Sequence, residues 1–156
     1  MDIEKQVARL TALEEIRTNI AIYAKAGDNK NDPAVMGPLM TEDAVWEAKG
    51  FGRHEGRDVI AHELSKIAQE RIVWSLHFPV APIIELNDAV DKAHGFWWLW
   101  ELLTMRNDEG VEEQNWIGAN YECDFVKKPD GWKIQHLILE IKIMVPFTGQ
   151  VPVPNE

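Results

Sequence analysis

The residue type most suited to chemistry is a histidine, His77, which interrupts the apolar run RIVWSLHFPVAPIIEL (residues 71–86). With an ordinary pKa of about 6.5, a neutral imidazole can take a proton from a substrate at neutral pH. If the run is a β-strand, His77 shares a face with the smaller side chains of Val73 and Ser75, which leave room beside it. Two interpretations follow, a general base in an apolar site or a hydrogen-bonded histidine of the core.

Other polar residues are candidates for the same site. Tyr23 lies on an apolar helical stripe, so its hydroxyl is either an acid or a packed group with a hydrogen bond. In a strand, His136 would lie on the same face as Trp132, Ile134 and Ile138, which predicts that it faces the cavity.

Residues of the central strands are also candidates for the wall of a site. Trp98 and Trp100 are interpreted as core residues or as a ligand wall, and Asn120 and Glu101 as pocket polar groups or, preferably, rim residues. His54, His62 and His94 lack the close spacing of a metal site, so no metal and no cofactor are predicted.

The charge of the chain excludes several kinds of partner. Its 26 acidic residues against 16 basic ones give a net charge of −10, and Lys127-Lys128 is the one adjacent basic pair. Such a surface repels nucleic acid and anionic membranes. The aromatic run GFWWLWELL is too short to cross a bilayer. A single cysteine, Cys123, and a charged amino terminus predict a cytoplasmic domain spanning residues 1–156.

The first third of the chain has helical periodicity. Apolar residues recur every three or four positions from Ile3 to Gly27. Thr11-x-x-Glu14 could be a capping box, which would break this helix near residue 10. Asp32-Pro33 predicts the start of a short second helix, and a third helix is predicted from Asp58 to about Gln69.

The rest of the chain has the composition of β-strands. Two short strands are predicted at residues 44–48 and 50–56, before the third helix. Four long runs rich in Val, Ile, Trp and Phe follow it, at residues 71–86, 92–105, 112–127 and 132–145, and tight connections separate them. This order predicts an α+β domain in which helices cover one face of a curved antiparallel sheet.

Several segments together resemble the SnoaL-like polyketide cyclase and dehydratase family of the nuclear transport factor two-like superfamily. They are ALEEIRTNIAIYAKAGDNKND, MTEDAVWE, GRDVIAHEL, LHF and DGWKIQHL, in this order and spacing. The resemblance covers residues 7–148. It implies a cone-shaped α+β barrel, in which a curved sheet packs against three amino-terminal helices around a deep cavity.

The resemblance also implies roles for particular residues. In dehydrochlorinases and bile-acid dehydratases of this superfamily, an aspartate after the first helix pairs with the histidine of the LHF-like segment, and these positions are Asp28 and His77 here. Tyr23 matches a tyrosine of the bile-acid dehydratases, and Phe147-Thr148 resembles a segment that closes the cavity mouth. No clear counterpart is found for an additional acidic residue on the fourth strand or a basic residue on the last one.

The predicted function is a cofactor-independent lyase or isomerase acting on a hydrophobic cyclic small molecule. His77 would be the base and Asp28 its orienting partner, with Tyr23 or His136 as the acid. Residues predicted to bind substrate are His136, Trp98, Trp100, Asn120 and Phe147. Alternatives are a non-catalytic ligand-binding or assembly domain and the small subunit of a ring-hydroxylating oxygenase. A homo-oligomer, trimer or dimer, is expected from the apolar residues of the uncovered sheet face.

Overall fold

Three α-helices cover one face of a sheet in the computed structural model, which describes residues 2–147. Helix α1 spans Ile3–Asp28, and the side chain of Asp2 caps it by accepting from the amide of Lys5 at 2.8 Å. The helix runs through Thr11 without interruption, so the break considered near residue 10 is absent. Helix α2 spans Pro33–Met36, and helix α3 spans Arg57–Arg71.

Six strands form one sheet in the order β2-β1-β6-β5-β4-β3. Their bounds are β1 Met40–Ala48, β2 Gly52–Glu55, β3 Ile72–Leu86, β4 Lys92–Arg106, β5 Glu112–Lys128 and β6 Gly131–Pro146. Strands β3 to β6 make the predicted antiparallel meander. Strand β1, however, is parallel to β6, so the sheet is mixed. The α+β cone fold is therefore confirmed with one difference, because hydrophobic patterning does not determine the direction in which β1 joins the edge of β6.

The two faces of the sheet are distinct. Helices α1 and α3 pack against what we call the inner face, where β4 contributes Ala93, Trp97, Leu99 and Leu103, all buried. The intervening residues of β4 point to the opposite, outer face, which no described helix covers. No helix within residues 2–147 has both the length and the hydropathy needed to cross a bilayer.

Candidate functional site

A cavity of about 110 Å³ lies between the helices and the inner face. Its polar side chains are those of Tyr23, Asn31, Ser75, His77, Glu101 and Tyr121, and Gly27 of α1 also lines it. The remaining wall is mainly apolar and includes Trp46, Leu64, Leu99, Leu103, Ile117, Leu139 and Ile141. A few polar groups within an apolar lining are typical of small-molecule sites.

The structure brings His77 and Asp28 together. Asp28 is the last residue of α1, and its Oδ1 lies 2.7 Å from His77 Nδ1 and 2.8 Å from the backbone nitrogen of the same residue. Because a carboxylate oxygen can only accept, both nitrogens donate to it. The proton of a neutral His77 is therefore on Nδ1, and the lone pair is on Nε2, at the other side of the ring.

A glycine allows the close approach of the imidazole to α1. A Cβ atom at Gly27 would lie 3.0 Å from His77 Cε1 and 3.3 Å from Nδ1. The Ser75 hydroxyl donates to the carbonyl oxygen of Gly27 at 3.5 Å, which ties β3 to the same turn of the helix. The ring of His77 thus contacts two parts of the end of α1, the backbone at Gly27 and the side-chain carboxylate of Asp28.

A second carboxylate, Glu101, lies on the other side of the imidazole. Glu101 and His77 are direct cross-strand partners of β4 and β3, and Glu101 Oε1 is 3.4 Å from His77 Nε2. Glu101 is only 8% exposed, so its interpretation as a rim residue is wrong. The signal was present in the sequence, since a tight connection at residues 87–91 places His77 opposite residue 101 or 102.

Burial and charge shift the pKa values of both groups. Burial alone would lower the pKa of His77, but the hydrogen bond to Asp28 and the negative charges of Glu101 and Asp28 outweigh it and raise the pKa above 6.5. Burial raises the pKa of Glu101, and the charge of His77 opposes this only in part. The imidazolium form of His77 is therefore stabilised from both sides.

Tyr23 lies four residues before Gly27 on the same side of α1, about 6 Å along the axis. Its hydroxyl accepts a hydrogen bond of 2.9 Å from Trp46 Nε1, and its ring packs edge-on against Tyr121 with a centroid separation of 5.9 Å. Burial raises the pKa of Tyr23, so the group is a neutral phenol. The structure thus places Tyr23 and His77 in the wall of one cavity.

The residues predicted to bind substrate lie elsewhere. Trp98 and Trp100 are on the outer face, where Trp98 is 48% exposed and Trp100 packs edge-on against Trp116. Asn120 pairs with Trp98 across the same face. Their assignment to the cavity is wrong. The side chains of β4 that point inward and are buried are those of the odd-numbered residues, which include Glu101 but neither Trp98 nor Trp100.

His136 and Phe147 are also outside the cavity lining. A register shift between β5 and β6 next to Ile134 reverses the alternation, so His136 turns outward and bonds Glu47 at 2.8 Å. The parity argument that placed His136 in the cavity fails at this bulge. Phe147 stacks on Trp116 of the outer face, and Thr148 lies outside the described residues.

The arrangement around His77 does not resemble a metal centre. Asp28 and Glu101 contact opposite ring nitrogens, so the three side chains do not converge on one point. In residues 2–147 no group of three or more His, Cys, Asp or Glu side chains has the geometry to hold a metal ion.

Comparisons with known proteins agree with this fold. The family model described as a SnoaL-like domain matches residues 8–138. No curated protein sequence matches the chain significantly. The solved structure of hexachlorocyclohexane dehydrochlorinase LinA-type3 from Novosphingobium barchaimii LL02 is 20% identical, with a TM-score of 0.85, and the match covers 96% of this chain and 99% of that one.

Two further solved structures are similar. The Type2 hexachlorocyclohexane dehydrochlorinase is 19% identical with a TM-score of 0.84, over 96% of this chain and 97% of the other. A nuclear transport factor 2-like superfamily protein from Salmonella enterica serovar Typhimurium LT2 is 20% identical with a TM-score of 0.75, over 90% and 96% of the two chains. Because the family model matches most of its length, the chain belongs to the SnoaL-like domain family.

Proposed function

We propose that the protein is a cofactor-independent lyase or isomerase that removes a proton from a neutral, hydrophobic cyclic molecule, with His77 as the base. The observation that carries this proposal is the double hydrogen bond of His77 to Asp28, which puts the proton of the neutral ring on Nδ1 and leaves Nε2 as the basic atom. Asp28 thus has the orienting role that a carboxylate has in a catalytic triad.

The two carboxylates would act on the transition state. As Nε2 takes a proton from a carbon next to an activating group, positive charge develops on the ring between Asp28 and Glu101. Fixed negative charges in a water-poor cavity stabilise such charge strongly. In a dehydration the C–H electrons form the new C=C bond, the C–O bond breaks, and the hydroxyl leaves as water after taking the proton of Tyr23.

The lining of the cavity supports a neutral substrate. One carboxylate, Glu101, lines the cavity, a second, Asp28, bonds the His77 ring in its wall, and among the described residues that line the cavity there is no Lys or Arg. An anionic substrate would therefore be repelled, whereas the apolar wall favours a carbon ring. A relative in fold is named as a dehydrochlorinase of hexachlorocyclohexane, a neutral ring.

Elimination from two neutral rings would test the assignment. Chloride release from γ-hexachlorocyclohexane and enone absorbance from 3-hydroxycyclohexanone would be measured for the wild type, His77→Gln and Asp28→Asn. General-base catalysis contributes about 10²- to 10⁴-fold, so both variants should lose turnover on this scale. His94→Gln is the matched control, because His94 forms an exposed pair with Asp124 at 2.8 Å on the outer face. Full activity in both cavity variants would exclude His77 as the base.

A second candidate is a non-catalytic binding domain for hydrophobic ligands. It is favoured by the inner face of β6, which presents Leu137, Leu139 and Ile141 and thus no cation to stabilise a leaving group. A wild-type protein that binds both rings without converting them, and whose binding persists in His77→Gln, would support this candidate over the lyase.

We also propose that the outer face carries the contact of a homo-oligomer. Phe78, Val80, Trp98 and Ile143 are large, apolar and at least two-fifths exposed there, and such patches commonly mark interfaces. Light scattering should give the mass of a dimer or trimer for the wild type and a smaller mass for Trp98→Glu. A monomeric wild type would contradict the proposal.

A further inference from the structure

Among the described residues of the cavity wall, Phe51 is the one apolar side chain that lies in a turn. Five apolar side chains of the wall are half-buried and therefore lie between the cavity and solvent. Ile67 belongs to α3, Ile72 to β3, and Leu139 and Ile141 to β6, whereas Phe51 lies between β1 and β2. On the solvent side of the cavity, a helix and two long strands thus support four of these residues, and a turn supports the fifth.

The turn that carries Phe51 is at the edge of the sheet. Gly50 and Gly52 flank it with φ values of +90° and +99°, a region that glycine adopts without strain. The backbone N–H of Phe51 donates to the carbonyl oxygen of Ala48 at 3.0 Å and closes the turn on β1. In the described sheet, the four residues of β2 pair with β1 alone, and none of them is buried. An exposed edge with little buried surface is typical of segments that open locally at low free-energy cost.

The volume of the cavity requires part of its wall to move when a ring binds. An apolar cavity of about 150 Å³ can hold benzene, whereas this cavity has about 110 Å³. Movement of α3 or of the central strands would disturb close packing in the core. Displacement of Phe51 moves a side chain that is already partly in solvent. Phe51 is therefore the part of the apolar wall that can make room at the lowest cost.

We propose that Phe51 is a specificity-determining residue that limits the substrate to a single six-membered ring. A small displacement of its phenyl ring makes room for one such ring. Two fused rings need the space that the phenyl ring itself occupies. This inference rests on the elimination proposed above and names its substrate class, neutral molecules with one ring.

Binding without turnover tests the size limit independently of the elimination. Cyclohexanone has one ring and 2-decalone has two fused rings, and neither carries a leaving group. Isothermal titration calorimetry would give the Kd of each ketone for the wild type and for Phe51→Ala. One methylene in an apolar pocket changes selectivity about 10- to 200-fold, so loss of a whole ring should lower the ratio of the 2-decalone Kd to the cyclohexanone Kd by about tenfold or more.

Three outcomes of this measurement would overturn the proposal. They are a ratio that Phe51→Ala leaves unchanged, a wild type that binds 2-decalone as tightly as cyclohexanone, and a wild type that does not bind cyclohexanone. If Phe51→Ala does not fold, Phe51→Leu retains an apolar side chain of smaller size. The ratio should fall in that variant as well, and an unchanged ratio would again contradict the size limit.

Phe96→Ala is the matched control. Phe96 is also half-buried, but it lies on the outer face, where its ring packs edge-on against Trp98 with a centroid separation of 4.9 Å. It is not among the described residues that line the cavity. Phe96→Ala should therefore keep the wild-type ratio. An equal fall in Phe96→Ala and Phe51→Ala would indicate a general loosening of the fold and would overturn the proposal.

Turnover separates this inference from the elimination itself. Enone absorbance would be followed with 3-hydroxycyclohexanone and 4-hydroxy-2-decalone, and Phe51→Ala should raise kcat/KM for the two-ring ketone relative to the one-ring ketone by about tenfold or more. If the binding ratio falls as expected but the wild type converts neither ketone, the size limit stands and the elimination fails. If the wild type converts 3-hydroxycyclohexanone and Phe51→Ala changes neither ratio, the elimination stands and the role of Phe51 fails.

Discussion

Two adjacent tryptophans of β4 show how differently the two faces of the sheet are used. Trp97 is 2% exposed and packs against Tyr121 and Phe125 on the inner face, whereas Trp98 is 48% exposed on the outer one. The inner face combines this packing with the hydrogen-bonded polar groups around His77. Residue type therefore says less about function than the face on which the residue lies.

The largest effect is expected from removing one tryptophan at a time. Trp97→Ala should lower the free energy of unfolding by about 3 to 5 kcal/mol, because it leaves a large cavity in the core. Trp98→Ala should lower it by about 1 kcal/mol or less at a protein concentration where the chain is monomeric. Urea unfolding measures both. Equal losses in the two variants would contradict the assignment of faces.

A smaller effect is expected where a single methyl group enters the site. In Gly27→Ala the new Cβ would displace the ring of His77, and a misplacement near 1 Å can cost about 10²-fold in rate. Stability should change little, since alanine favours the helix by about 1 kcal/mol. Gly37→Ala is the control, because its Cβ would meet only Arg57 Cγ at 3.8 Å. Turnover of 3-hydroxycyclohexanone distinguishes the two, and equal rates in both variants would argue against the tight fit at Gly27.

The pH dependence of the unfolding free energy should also differ between histidines of the inner and the outer face. The folded-state pKa of His77 is raised, so its contribution is fully present below pH 6.5 and is lost as the pH rises through the folded-state value. The raised pKa of Glu101 acts in the same direction, with its contribution present below pH 4.5 and lost as the pH rises through its folded-state value. Urea unfolding at pH 6 and pH 8.5 should show a decline in the wild type that is reduced in His77→Gln and retained in His94→Gln. An equal decline of the unfolding free energy in all three proteins would contradict a raised pKa of His77.

The smallest effect is expected at His136. It pairs with Glu47 on the outer face, where each side chain is about one third exposed, so His136→Ala should cost at most about 1 kcal/mol of unfolding free energy. Turnover should be unchanged, because the ring lies outside the cavity lining. A loss of 10²-fold or more would instead indicate that His136 supplies the acid.

Much of the fold could be predicted from the sequence, and the reason is periodicity. The helices α1 and α3 and the strands β3 to β6 were expected within a few residues of their bounds, because apolar spacing and turn residues are local signals. The parallel contact of β1 with β6 was not expected. It depends on two segments far apart in the chain, and local signals do not encode it.

The site was predictable only in part, for two physical reasons. The proximity of Asp28 to His77 followed from family resemblance, and the structure brings the two together. The assignment of residues to the cavity wall was wrong at two kinds of position. At Trp98 the alternation of side chains does not say which face is the inner one, and at His136 a bulge reverses the alternation. Glu101 was interpreted preferably as a rim residue, because a carboxylate in an apolar strand is usually a surface residue.

The most direct test of the central claim is the titration of His77 itself. The claim is that His77 is a base held by Asp28 between two carboxylates. Nitrogen-15 NMR should find a midpoint above 6.5 in the wild type and a lower one in Asp28→Asn, with the Nδ1–H tautomer in the neutral form. A midpoint at or below 6.5 that Asp28→Asn leaves unchanged would contradict the claim.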